Sequence, residues 1–295
     1  MINSFFSLLQ KKNNNSFNTK EVLSSKKMLD LLDSGIKTYC GKNKIYLEVG
    51  VYKGGTIIKL SEINKKIKCI GVDNFSLFDK NKKNHLLIKK KIKQKKLKNI
   101  SIINKDFEEA AILLKKKNIK VGVIFIDAAH DYRSQLIALF KYYDLLSKNS
   151  LIIVDDCNYY HVRKANSDFL NTQKNCNLIF QKYTKVHVAN LTAKKKLLAF
   201  KDYWNGVNVI LKGKCSSKYK KNIFFDKNEK RTRNIFPLSH EVFRNYYAHS
   251  ADKILNLVYD LKFGKVSKAF FFKTLNKIKT PNYLKSKRFK SCNFN

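Results

Sequence analysis

Between residues 44 and 213, short unbroken apolar runs alternate with segments whose apolar positions recur at helical spacing. Ile45–Val49, Cys69–Val72, Ile100–Ile103, Val121–Ile126 and Leu151–Val154 are too short for helices and, apart from Glu48 and Ser101, are continuously apolar or glycine, which marks strands covered on both faces. The stretches starting at Gly55, around 80–96, and at 107–117, 133–146 and 162–170 read as helices, and weaker strands follow near 177–184 and 207–212. Seven strands interleaved with helices predict an α/β fold built on a doubly wound, mostly parallel sheet. Ahead of this block, Val22, Leu23, Met28, Leu29, Leu31 and Leu32 give a helical stripe within 19–39, behind a polar linker at 11–18. After it, lysine and arginine become dense, and apolar residues cluster as helix faces (Ile254, Leu255, Leu257, Val258; Ala269, Phe270, Phe271, Leu275). The predicted organisation is an N-terminal helical segment over 1–43, an α/β domain over 44–213 and a basic helical extension over 214–295.

A chain of 295 residues can bury one large core and still carry terminal additions. Its net charge of +39 raises the question of nucleic acid, but only six of its 61 basic residues are arginine, the side chain phosphate readers favour. Lysine travels here with asparagine, isoleucine and phenylalanine, all encoded by AT-rich codons, so genome composition explains much of the bias. The block Lys89 to Lys96, interrupted by Ile92, reads as the solvated face of an amphipathic helix. An RNA-binding or RNA-modifying protein using residues 214–295 stays as the alternative, although Tyr219, Phe224 and Phe225 among the lysines form no recognisable RNA-binding motif. The six cysteines are scattered with no Cys-x-x-Cys pair, as expected of reduced thiols in a cytoplasmic protein. Met1 to Gln10 lacks the basic start and cleavage site of an export signal, and no segment approaches the ~20 apolar residues of a membrane span. A homo-oligomer is compatible with this pattern.

The chemistry begins at Tyr46-Leu47-Glu48-Val49-Gly50-Val51-Tyr52-Lys53-Gly54-Gly55-Thr56, where a buried strand enters a glycine turn and then a helix. Such a turn brings backbone amides at a helix N-terminus close to a ligand. The next strand ends in Asp73, where a carboxylate can accept from a ribose diol, and Asp106 follows the third strand, placed to accept from an adenine amino group or an adjacent amide. The turn is Glu-x-Gly-x-x-x-Gly-Gly, not the Gly-x-Gly-x-x-Gly of nicotinamide and flavin sites. It resembles the first motif of the class I S-adenosylmethionine-dependent methyltransferases, which have a Rossmann-like sheet. The resemblance implies Glu48, Gly50 and Gly54 around the methionine part of the cofactor and Asp73 on its ribose.

Two further strands end in acids, Asp127 after Val123-Ile124-Phe125-Ile126 and Asp155-Asp156 after Leu151-Ile152-Ile153-Val154. Each acid by itself also fits capping the helix that follows. On neighbouring parallel strands they meet at one rim, where three carboxylates repel unless a cation sits among them, and hard oxygen ligands favour Mg2+. Phe125-Ile126-Asp127-Ala128-Ala129-His130-Asp131-Tyr132 followed by the acid pair is similar to the subfamily of cephalosporin-hydroxylase-like and macrocin O-methyltransferase-like proteins, over about residues 44–172. Ala128 departs from that subfamily's glycine. The resemblance implies Asp127, Asp155 and Asp156 as metal ligands, with Asp127 also bordering the cofactor, and His130 as general base. His130 equally fits a hydrogen bond to Asp131 or to the cofactor. The implied activity is O-methylation of a hydroxyl on a small metabolite or sugar.

Overall fold

In each central strand alternate side chains enter two different hydrophobic clusters, so the runs are apolar throughout except at Glu48. The computed structural model describes residues 1–11, 22–76, 79, 83–183, 192–225, 254 and 257–275. The strands are β1 (Ile45–Val49), β2 (Cys69–Val72), β3 (Ile100–Ile103), β4 (Val121–Ile126), β5 (Leu146–Val154), β6 (Cys176–Lys182) and β7 (Val207–Lys212). The helices in the same region are α1 (Ile2–Gln10), α2 (Lys26–Tyr39), α3 (Gly55–Ile63), α4 (Asn84–Gln94), α5 (Phe107–Lys116), α6 (Tyr132–Tyr143), α7 (Tyr160–Thr172) and α8 (Ala193–Lys201). One cluster joins Tyr46, Val123, Phe125, Leu151 and Ile153 to α1, α2 and α3; the other joins Leu47, Val49, Ile124, Ile152 and Val154 to α5, α6 and α7.

The sheet has seven strands in the order β3-β2-β1-β4-β5-β7-β6. Pairs from β3 to β5 are parallel, while β7 runs antiparallel between β5 and β6. The expected doubly wound, mostly parallel sheet is therefore the fold, and its order reverses at β1 and β4. There the carboxyl ends of adjacent strands open a crevice.

Three differences from the sequence reading have local causes. The leading helix starts at Lys26, where Ser25 caps it by accepting from the Met28 amide at 3.1 Å. β5 begins at Leu146, not Leu151, because Leu146 pairs with Val121 and the register then shifts, leaving Lys148 and Asn149 exposed in a bulge. The apolar patch at the N-terminus is helix α1, whose Phe5 is fully buried edge-on to Tyr39. Except for Lys11, the linker at 11–18 falls outside the described residues, as do 19–21, 80–82, residue 184, Leu255 and both prolines.

The chain divides into two compact units, Met1–Arg233 and Asn234–Asn295. Within the first, residues 217–225 run beside β6: the Lys221 amide donates to Leu178 O at 2.9 Å, and Gln181 Nε2 donates to Asn222 O at 2.8 Å. Tyr219 in this segment stacks on Phe6, with centroids 5.1 Å apart, and bonds Asn3. The second unit contains a helix over Lys268–Leu275, on which Phe270 and Phe272 are exposed. Cys40, Cys69, Cys157, Cys176 and Cys215 are free thiols, and burial pushes that of Cys69 up to about 12. Among the described residues no helix is long and apolar enough to cross a membrane.

Candidate functional site

The crevice is built first by the glycine turn. Gly50 has φ +91, and a Cβ there would lie 1.9 Å from the carbonyl oxygen of Asp127, so only glycine lets β1 turn against the end of β4. Gly54 has φ +76 at the N-cap of α3, and the space of its missing side chain is filled by Ile88 of α4. Asp73 ties this turn to β2: its Oδ2 accepts from the Val51 and Tyr52 amides, each at 2.8 Å, and its Oδ1 from the Phe75 amide at 2.7 Å. Asp106 caps α5 by accepting from the Glu108 amide at 2.9 Å. Glu48 is buried in the sheet, with Tyr46 Oη donating to its Oε2 at 2.7 Å. Burial holds the Glu48 carboxyl well above the usual carboxylate range, and Asp127 and Asp73 add to the effect against the Tyr46 bond.

The ladder continues past the apolar runs, with the Asp127 amide on Val49 O at 2.8 Å and the Asp155 amide on Ile126 O at 3.0 Å. It sets the acids of β4 and β5 side by side. Ligand atoms of Asp127, His130 and Asp156 all lie within 4.8 Å of one another. His130 Nε2 is 2.5 Å from Asp156 Oδ2, and the imidazole stacks on Tyr159 with centroids 5.4 Å apart and an interplanar angle of 8°. Asp155 is outside that group of three; its Oδ1 is buried and meets no hydrogen-bond donor among the described residues.

Burial, then the neighbouring Asp156, pushes Asp127 up to about 7, with His130 partly opposing. Burial, then Asp127 and Asp156, holds Asp155 well above the ordinary range. Burial disfavours charge on His130, but the Asp156 hydrogen bond and the surrounding carboxylates outweigh it and raise its pKa. The rim is thus a carboxylate-rich spot on a strongly basic chain, with three ligand groups close enough that they could hold a metal ion.

Two participants escaped the sequence reading. Asn205, on the turn entering β7, donates from Nδ2 to Asp156 Oδ1 at 2.6 Å; Asn205-Gly206 is a turn signal, but nothing in it points to an acid 49 residues earlier. Arg163 of α7, with 2% exposure, donates to the Cys157 carbonyl, and its guanidinium lies 4.9 Å from the centroid of the Tyr183 ring. A buried arginine at helical spacing behind the acid pair carried no motif.

A family described as a methyltransferase domain matches residues 47–157. No curated protein matches the chain. Solved structures similar to it include a candidate caffeoyl-CoA O-methyltransferase from Staphylococcus aureus, 19% identical over 63% of this chain and 83% of that one, with a TM-score of 0.45. An O-methyltransferase from Bacillus cereus in complex with SAH is 12% identical over 63% and 81%, with a TM-score of 0.47. An rRNA methylase from Streptococcus thermophilus is 10% identical over 63% and 96%, with a TM-score of 0.44. None of these bears on the acceptor. The family match runs from β1 to the residue after the acid pair and so takes in the glycine turn, Asp73, Asp127, His130, Asp155 and Asp156. Residues 47–157 are thus a methyltransferase domain, and the sheet order around them is that expected from the class I S-adenosylmethionine-dependent resemblance.

Proposed function

We propose that this methyltransferase acts on a hydroxyl of a small oxygen-rich metabolite, a sugar or polyol being the best fit, with the help of a divalent cation such as Mg2+. The observation that carries the reading is the cluster of Asp127, His130 and Asp156 beside the cofactor turn, next to Asp155, whose buried oxygen has no donor among the described residues. Hard oxygen donors in that number suit Mg2+ or Mn2+, and vicinal acceptor hydroxyls would complete the shell. When bound, the cofactor supplies an electrophilic sulfonium methyl and the cation polarises the acceptor oxygen.

The remaining work falls to the chain's own side chains. Gly50 and Asp73 hold the turn that cradles the cofactor, with Glu48 and Gly54 behind it and Asp106 at the start of α5. Asp127 and the acid pair hold the cation. His130 presents Nε2 to Asp156, which leaves Nδ1 as the basic nitrogen to take the acceptor proton, and Asp156 steadies the resulting imidazolium. The free thiols suit a reducing, cytoplasmic setting.

The test is transfer of labelled methyl from S-adenosylmethionine to a panel of polyols and sugars, and to RNA, with Mg2+ and after exhaustive chelation. Label in small hydroxylated acceptors, lost on chelation and restored by Mg2+, is the expected result. Label in RNA alone, falling steeply with salt, would overturn it, and full activity after chelation would remove the cation.

A further inference from the structure

We propose that Asn205 is a positioning residue that fixes the Asp156 carboxylate for the cation; this rests on the metal-assisted reading above. The two oxygens of Asp156 are held by different parts of the chain, Oδ1 by Asn205 Nδ2 at 2.6 Å and Oδ2 by His130 Nε2 at 2.5 Å. Asp156 is only 7% exposed and has φ +55, a left-handed conformation that a non-glycine residue keeps when its surroundings impose it.

Here the surroundings are the turn that contains Asn205. The Asn158 amide donates to Asn205 O at 2.6 Å and the Cys157 amide to Gly206 O at 3.1 Å, so residues 205–206 are bonded alongside 157–158 and the side-chain amide cannot drift from the acid. Asn205 Oδ1 is buried and meets no donor among the described residues. Burying an amide oxygen unbonded is unfavourable, and the bond this geometry secures in return is the one from Nδ2 to Asp156. An amide N–H only donates, so it uses one acceptor position of Asp156 Oδ1 and leaves the other lone pairs for a cation. Hydrogen-bond partners of this kind behind a ligand set its orientation, and losing one costs metal sites about 10–100-fold in affinity.

The experiment compares full-length wild type with Asn205→Leu, which keeps the shape and removes the donor, and with Asn205→Ala. Mn2+ binding is followed by the electron paramagnetic resonance of free Mn2+, and S-adenosylhomocysteine binding by calorimetry. The expected result is Mn2+ affinity lower by about 10–100-fold in both variants, unchanged S-adenosylhomocysteine affinity, and turnover that recovers when Mn2+ is raised to saturation. Wild-type Mn2+ affinity in the Leu variant would overturn the inference and leave the metal-assisted reading standing. So would a parallel loss of S-adenosylhomocysteine affinity that saturating Mn2+ does not rescue, since Asn205 would then only shape its turn. A wild type that binds no Mn2+ would overturn both readings.

Discussion

Replacing Gly50 by alanine sets a backbone conflict at the centre of the crevice. The new Cβ would lie 1.9 Å from Asp127 O, 2.5 Å from Asp127 C and 3.0 Å from Ala128 Cα, all main-chain atoms that cannot rotate away, and the residue would have to hold φ +91. The left-handed conformation costs roughly 1–2 kcal/mol and overpacking roughly 1–3 kcal/mol, the upper end applying where backbone must shift. A loss of about 3–5 kcal/mol lowers the melting temperature by about 6–20 °C for a unit of this size. Gly54→Ala is the internal control: φ is +76, but the nearest atom is Ile88 Cγ1 at 2.9 Å, the movable end of a side chain. Its expected cost is about 1–2 kcal/mol. Thermal denaturation followed by circular dichroism, with S-adenosylhomocysteine titrations on both variants, gives the answer. The Gly50 variant should lose more stability and, by displacing Asp127, more cofactor affinity. If it melts within about 2 °C of wild type, or if the Gly54 variant suffers more, the account of the turn as shaped by the β4 end is wrong.

Asp73→Ala strands the amides of Val51, Tyr52 and Phe75. Hydrogen bonds to a charged group contribute about 1.5–3 kcal/mol each, so cofactor binding measured by calorimetry should fall at least tenfold, and an unchanged affinity would remove Asp73 from the site. Asp127 is raised from 3.8 to about 7 by burial and Asp156, so the folded apoprotein keeps a proton that the unfolded chain releases. Its contribution to stability therefore declines as pH rises through that window; Asp127→Asn should flatten the slope of melting temperature against pH, and an identical slope would refute the assignment. Truncation after Arg233 should leave the first unit folded and able to bind cofactor. Truncation after Gly213 also removes Lys221, Asn222 and Tyr219 from β6 and α1, and should cost about 2–4 kcal/mol on chemical denaturation; equal stability of the two products would show that residues 214–225 contribute nothing to this unit.

Much of the fold could be read from the chain because a parallel sheet buried on both faces demands unbroken apolar runs. Val121–Ile126, and Ile45–Val49 apart from Glu48, announce themselves in that way, and their ladder leaves Asp73, Asp127 and Asp155 just past the strand ends. Gly50 was legible for a similar reason, since a strand that turns sharply needs a residue without a side chain. Why Gly54 is glycine was not: the sequence suggests room for a ligand, whereas the structure fills that room with Ile88, 34 residues onward. Asp106, for which the sequence left an adenine amino group or an adjacent amide open, accepts from the Glu108 amide of its own helix. The arrangement around Asp156 was decided only by tertiary structure. His130 reaches it from the loop after β4, and Asn205 reaches it because β7 is inserted antiparallel against β5, bringing a turn 49 residues away back to the acid. Local sequence specifies which backbone a residue prefers and how its neighbours alternate. The partner of a buried polar atom is set by strand order, which depends on the free energy of the whole sheet and leaves no periodic mark on the chain.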